Sequence, residues 1–210
     1  MDFKKGGLIE PKRKQFLSVK NSYLIFTNGE ETEKKYFKKF KKPITIEKFE
    51  VKTKGGKDPL TLVKKANKQI EYEGLKEKYD EIWVVFDIDD YELESIDEAI
   101  GLAKSNDIHV AYSNQCIELW FLIHLIDKSP ENPIPRESLF DEIDKIFKSK
   151  FDDNYKKTKY INDYLRPYID KAIERAKELE KYFMDKKFKS VNDMNPSTSI
   201  YKLIEKLRSN

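Results

Sequence analysis

One cysteine, two histidines, seven glycines and no long apolar run are scattered over 210 residues, and each shortage removes a class of protein. The lone Cys116 cannot close an internal disulfide, and it lies in the apolar run Cys116-Ile117-Glu118-Leu119-Trp120-Phe121, so a buried thiol in a reducing compartment is expected. His109 and His124 share no metal-ligand spacing, which argues against zinc and gives both a structural role. Nothing approaches the eighteen or so uninterrupted apolar residues of a membrane span. The basic start is not followed by an apolar stretch and small-residue cleavage site, so a cytoplasmic protein is expected. Phosphate-cradling glycine loops, dinucleotide turns and nucleophile elbows are all missing, which leaves no support for a bound nucleoside triphosphate driving chemistry, a dinucleotide cofactor or a serine hydrolase.

What is present is charge, 38% of residues, nearly balanced at +3. The balance does not announce a nucleic-acid binder, but its distribution is uneven. Lys34, Lys35, Lys38, Lys39, Lys41 and Lys42 crowd one stretch, and Lys52, Lys54 and Lys57 flank Gly55-Gly56. Such clusters either neutralise phosphates or form a solvated lysine-rich face, and composition leaves both readings open.

Residues 1–20 read as a basic lead-in. Tyr23-Leu24-Ile25-Phe26 then has the length of a buried strand, stopped by the turn signal Thr27-Asn28-Gly29. Thr32, Glu33, Tyr36, Phe37 and Phe40 suit a capped helix. Residues 44–51 alternate as a half-buried strand, and Asp58-Pro59 opens a helix to about Tyr72. Ile82-Trp83-Val84-Val85-Phe86 is the strongest strand signal, continuous as for a strand covered on both faces. A helix from about Ile96 to Ser105, a strand from Ile108 to Tyr112 and an apolar helix from Ile117 to Leu125 follow. This alternation predicts an α/β fold with a mainly parallel sheet over residues 21–128. Beyond Pro130, Pro133 and Pro135 the pattern is helical only, near 138–148, 160–186 with a break at Arg166-Pro167, and 198–207. Residues 129–210 are therefore expected to form a helical extension packed on the sheet domain. Trp83 and Trp120 are expected in the core.

In an open α/β sheet, ligands bind beyond the carboxyl ends of the strands. Gly29-Glu30, Asp87-Ile88-Asp89 and Asn114 with Glu118 occupy that position. Asp87 and Asp89, two apart, emerge on one side if strand conformation persists, and can share a hard cation such as Mg²⁺ or Mn²⁺. Converging carboxylates without a cation would repel and be driven toward protonation. An EF-hand loop is excluded, because its glycine and terminal glutamate are missing at their offsets from Asp87. Asp90, Asn114 and Glu118 divide between site residues and helix caps.

Several of these stretches, in order, carry a resemblance. Leu24-Ile25-Phe26-Thr27-Asn28-Gly29-Glu30-Glu31-Thr32-Glu33 with Tyr36-Phe37, Val84-Val85-Phe86-Asp87-Ile88-Asp89-Asp90, Ala111-Tyr112-Ser113-Asn114-Gln115-Cys116-Ile117-Glu118-Leu119-Trp120 and Asn195-Pro196-Ser197-Thr198 together resemble the RloB family. Gln115 departs from that pattern, where proline is expected, a difference that bears mainly on the loop after Asn114. The resemblance implies a Toprim-like fold related to OLD nucleases, a role in bacterial phage defence and an AAA-type ATPase partner. It implies that Glu30 acts as general acid/base and that Asp87 and Asp89 bind Mg²⁺; Glu30 and, from its place next to Asp89, Asp90 are counted with them as candidate metal ligands. It also implies a nuclease acting on DNA or RNA, for which Lys34, Lys35, Lys38, Lys39, Lys54 and Lys57 would hold the backbone. The rival readings are a non-catalytic metal-binding module that docks and regulates an ATPase, and a phosphotransfer receiver. The receiver is disfavoured because the acidic pair follows the third strand and not the first. Asn195-Pro196-Ser197-Thr198 is expected to cap and turn into the final helix, with Thr198 or Ser197 accepting a backbone N–H and a cost of about 1 kcal/mol on its loss.

Overall fold

The computed structural model describes residues 22–29, 32–40, 49–53, 58–89, 91, 93–156 and 159–209. Five strands, β1 (Tyr23–Thr27), β2 (Phe49–Thr53), β3 (Glu81–Asp87), β4 (His109–Asn114) and β5 (Ser197–Thr198), form one sheet in the order β2-β1-β3-β4-β5. The first four are parallel, with Phe26 beside Val84 and Val84 beside Val110, and β5 is an antiparallel edge piece of two residues. The expected α/β class with a mainly parallel sheet is what the structure has.

The continuous apolar runs are explained by what covers them. Successive side chains on a strand point to opposite faces. Leu24, Phe26, Ile82, Val84 and Phe86 point to one face, where helices α2 (Pro59–Glu73) and α3 (Leu93–Ser105) bring Leu62, Val63, Ala66, Ile96 and Ala99. Tyr23, Ile25, Trp83 and Val85 point to the other. There they meet α1 (Thr32–Lys38), α4 (Ile117–Leu122), α5 (Arg136–Phe151), α6 (Ile161–Leu165), α7 (Ile169–Asp185) and α8 (Ile200–Ser209). Both tryptophans lie in this second core as expected, and losing an aromatic ring from such a site costs about 3–5 kcal/mol.

Local signals act as their chemistry requires. Asp58 accepts the Thr61 N–H at 2.8 Å, with Pro59 in the first turn of α2. Gly74 ends α2 at φ 60°, where only a residue without Cβ is unstrained. Pro167 splits the long helix expected over 160–186 into α6, a 3₁₀ turn at Arg166–Tyr168 and α7, because proline lacks the N–H and clashes with the preceding turn. Of the strand expected over 44–51, residues 49–51 fall in β2, which runs to Thr53, while 44–48 lie outside the described residues, as does the lead-in 1–20.

The Asn195-to-Thr198 segment makes the expected bond to a backbone N–H at the start of the final helix, but it also joins the sheet. Ser197 and Thr198 pair with Asn114 and Ser113 as an edge strand, and α8 starts only at Ile200. The Thr198 hydroxyl donates to the Tyr112 carbonyl at 2.8 Å, receives the Ser113 hydroxyl at 2.7 Å and accepts the Ile200 N–H at 3.3 Å. The Asn195 side chain holds both backbone groups of Ile134, at 3.0 and 3.1 Å. Pairing with β4's edge is thus added to the local capping bond. Thr198→Val, which keeps the shape but strands a buried hydroxyl and N–H, is therefore expected to cost about 2 kcal/mol, twice the value of a simple cap. Thermal melting checks this, and an unchanged melting temperature would return Thr198 to an ordinary cap.

Candidate metal and phosphate site

The strand order reverses between β1 and β3, since the chain leaves β1 toward β2 on one side and returns to β3 on the other. Such a switch point opens a crevice at the carboxyl ends of the two strands. A cavity of about 480 Å³ lies there, lined by Asn28 and Gly29 after β1, Thr32 and Glu33 of α1, Asp87 and Asp89 after β3, Glu118 of α4, and Arg136 and Phe140 of α5.

Asp87 ends β3, and the chain beyond stays stitched to β4 while it turns. Ile88 N–H donates to the Ser113 carbonyl at 3.0 Å and Asp89 N–H to the Gln115 carbonyl at 2.9 Å. Asp89 sits at φ 46°, a left-handed conformation that aspartate tolerates better than most residues. The two carboxylates thus converge through a turn, and not through the continued strand expected from their spacing. Their convergence is marked by one guanidinium: Arg136 Nη1 is in contact with Asp89 Oδ1 and 3.9 Å from Asp87 Oδ2.

Burial and like charge dominate the electrostatics. The Asp87 carboxyl is pushed well above the usual carboxylate range by burial, then by the negative charges of Glu33 and Glu118, against the opposing pull of Arg136 and the Ile117 N–H. Glu33 is also raised, chiefly by burial and further by Glu118. Glu118 accepts the Tyr155 hydroxyl at 2.6 Å, and proximity to this carboxylate adds to burial in raising the Tyr155 phenol and the Cys116 thiol. Cys116 is accordingly an inert buried thiol at neutral pH.

A family model for RloB-like proteins matches residues 23–207. The chain belongs to the RloB-like family. No curated protein and no solved structure matches this RloB-like chain. The match spans every described strand and all but the last two residues of α8.

Set on this RloB-like structure, Asp87, Asp89 and Glu118 meet at one cavity. Glu30, Asp90, Lys54 and Lys57 lie outside the described residues. Asn114 lines no wall of the cavity and caps no helix. Its amide donates to the carbonyls of Val191 and Asn192 at 2.8 and 2.9 Å, and Cys116 takes the position before α4. Lys34, Lys35, Lys38 and Lys39 follow α1 away from the cavity, with Lys35, Lys38 and Lys39 exposed. Sequence reading missed Glu33 and Arg136 as site residues. Glu33 had a signal, because it precedes Tyr36 and Phe37 by three and four residues and so shares their buried face. Arg136 had none, being brought to the aspartates by tertiary packing alone.

Among the described residues, no group of three or more His, Cys, Asp or Glu is already arranged to hold a metal ion. The donors nevertheless fit a hard cation in kind: Asp87, Asp89, Glu33 and Glu118 offer only oxygen, and the cavity already draws a positive group between two of them. Asp89 Oδ1, buried, has an ion pair with Arg136 but no hydrogen bond among the described residues. A divalent ion would take over the part that the guanidinium plays.

No helix among the described residues is long and apolar enough to cross a membrane.

Proposed function

We propose that this RloB-like protein is a metal-dependent nuclease of the Toprim type, cleaving phosphodiester bonds in DNA or RNA in bacterial phage defence through abortive infection. The observation that carries this reading is the gathering of Asp87, Asp89, Glu33 and Glu118 around one cavity at the sheet's switch point, with Arg136 between the aspartates. Asp87 and Asp89 would hold Mg²⁺ or Mn²⁺, joined by Glu30 on the strength of the family resemblance and by Asp90 as the next residue in the chain. A bound ion would supply charge neutralisation at the phosphate and a water acidified toward neutral pH. Arg136, released from the aspartates, would pair with the non-bridging phosphate oxygens in the forked geometry that guanidinium favours. Glu30 would move the proton, and Tyr155 would fix the orientation of Glu118. Sequencing nucleic acids from cells in which the protein is induced tests the reading: a defined set of new ends supports it, and no new ends on either DNA or RNA contradicts it.

Exposed apolar side chains on and after α7, Met184 at 62% and Phe188 at 39%, favour the second reading, a metal-binding module that docks an AAA-type ATPase. Cleavage assays with Mg²⁺ or Mn²⁺, with and without that partner, separate the two. Activity of the isolated chain belongs to the nuclease, whereas none in either condition belongs to the module.

Two variants probe the geometry. A Cβ at Gly29 would run into the Glu33 carboxylate, so Gly29→Ala must push that carboxylate away. Misplacing a catalytic group by about 1 Å costs about 10–100-fold in rate. The melting temperature should barely change, because moving Glu33 also relieves charge crowding. An undiminished rate would remove Glu33 from the site. Charge reversal at Lys34, Lys35, Lys38 and Lys39 is expected to weaken nucleic-acid binding uniformly across sequences and to reduce the salt slope by about one for each phosphate no longer neutralised. A salt titration with unchanged affinity would make this cluster a solvated face.

A further inference from the structure

A second cavity, of about 510 Å³, lies beyond the far end of α1, walled by the close of that helix and by α6, α7 and α8. Its size is that of pockets which enclose small organic ligands, commonly about 300–1,000 Å³. Lys39, Arg166 and Arg208 bring three positive charges to it, against Asp163 and Asp170. Arg208 is engaged by Asp170 at 2.6 Å, whereas neither Lys39 nor Arg166 has an ion-pair partner among the described residues. The wall is thus net positive with two uncommitted cations, while Phe40 and Tyr36 add aromatic surface.

The deciding feature is His124, 1% exposed, which lines the same cavity. Its Nδ1 stands 2.7 Å from the Trp120 carbonyl, which can only accept, so Nδ1 carries the proton and Nε2 is a bare acceptor. That Nε2 is buried without a hydrogen-bond partner among the described residues. Leaving a buried acceptor unpaired is costly, and a small turn of the ring toward the cavity would let a ligand N–H or O–H satisfy it. An anion without an O–H or N–H has no use for an acceptor, and an apolar molecule has no use for the cations. A ligand anionic at one end, flat in the middle and carrying a donor at the other meets all three requirements.

We propose that this cavity is a binding site for a nucleoside phosphate, with the phosphate against Arg166 and Lys39 and a base amino or sugar hydroxyl group donating to His124 Nε2. It is separate from the acidic cavity, since the two share no lining residue.

Thermal melting of the full chain in EDTA, with adenosine and guanosine mono- and triphosphates, the parent nucleosides and inorganic phosphate, tests this. At least one nucleotide should raise the melting temperature by about 5 °C at saturation, more than its nucleoside or inorganic phosphate does. Arg166→Glu, at an exposed position, should abolish the shift, and His124→Phe should weaken binding by about tenfold for one lost hydrogen bond to the ligand. Asp87→Asn should leave the shift intact, which separates failure of this site from failure of the nuclease reading. The proposal falls if no nucleotide shifts the melting temperature, if inorganic phosphate alone gives the whole shift, or if Arg166→Glu retains it. Should His124→Phe not fold, the Arg166 variant decides.

Discussion

Replacing Asp87 by asparagine is expected to leave the metal-free protein as stable as the wild type or more so, while abolishing its stabilisation by Mg²⁺ or Mn²⁺. The reason is that the ionised Asp87 is a burden on the empty fold. It is buried and faces the negative Glu33 and Glu118, so the folded state favours its protonated form. Asparagine keeps the shape, can still accept the Ile117 N–H, and carries no charge to be repelled. In the wild type, an ion that binds the native state at about a hundred times its dissociation constant adds about 2.7 kcal/mol. For a chain of this length that is roughly 5–10 °C in melting temperature. The sign of the pH effect follows from the same crowding. A carboxyl whose folded-state pKa is raised contributes stability that is fully present below its unfolded value, about 4, and is lost as pH rises through the raised value. Asp87 should therefore withdraw stability from the metal-free protein from about pH 4 upward, so that Asp87→Asn gains on the wild type as pH rises. An unfolded Asp87→Asn would instead make this aspartate a structural turn residue, and a full metal-induced shift in the variant would move the ion elsewhere.

The second large effect is acid sensitivity through His124. Burial, reinforced by the nearby positive charge of Arg175 and opposed by the Trp120 carbonyl, pushes its imidazole down to about 4. A histidine with a lowered folded-state pKa contributes stability that is complete above its unfolded value, about 6.5, and is lost as pH falls toward the folded value. Each unit of difference corresponds to about 1.4 kcal/mol, so roughly 3 kcal/mol disappears between about pH 7 and pH 4. The raised carboxyls Asp87 and Glu33 act in the opposite direction, and the comparison with His124→Phe isolates the histidine. Denaturant melts of both proteins at several pH values give the difference. Direct observation of the imidazole by NMR supplies the titration itself, and a midpoint of about 6.5 would contradict the buried, neutral ring.

How far the sequence carries depends on whether a residue's neighbours are local. Phe26 and Val84 lie in uninterrupted apolar runs, which only a strand covered on both faces can hide, and Asp58-Pro59 starts a helix through interactions within the first turn. Asp87 and Asp89 were legible because a strand end fixes where they emerge, although the turn that brings them together was not. Glu118 was legible as a residue just inside a helix, but its bond to Tyr155, 37 residues away, was not. Arg136 follows a proline at the start of a helix, and nothing local ties it to aspartates so much earlier in the chain. Thr198 was legible as an acceptor for the N–H at the start of α8, but not as part of the sheet. Its local pattern is a cap, which it keeps, and only the presence of β4 makes it an edge strand as well.

The central claim is that the carboxylates at the switch point form a metal-dependent centre for phosphodiester cleavage. The most direct measurement is cleavage of end-labelled single- and double-stranded DNA and RNA by purified wild type, Asp87→Asn and Glu118→Gln, in Mn²⁺, in Mg²⁺ and in EDTA. Metal-dependent cleavage by the wild type that falls at least about a hundredfold in Asp87→Asn, with EDTA abolishing it, is the predicted result. Cleavage that persists undiminished in Asp87→Asn or in EDTA would contradict the account.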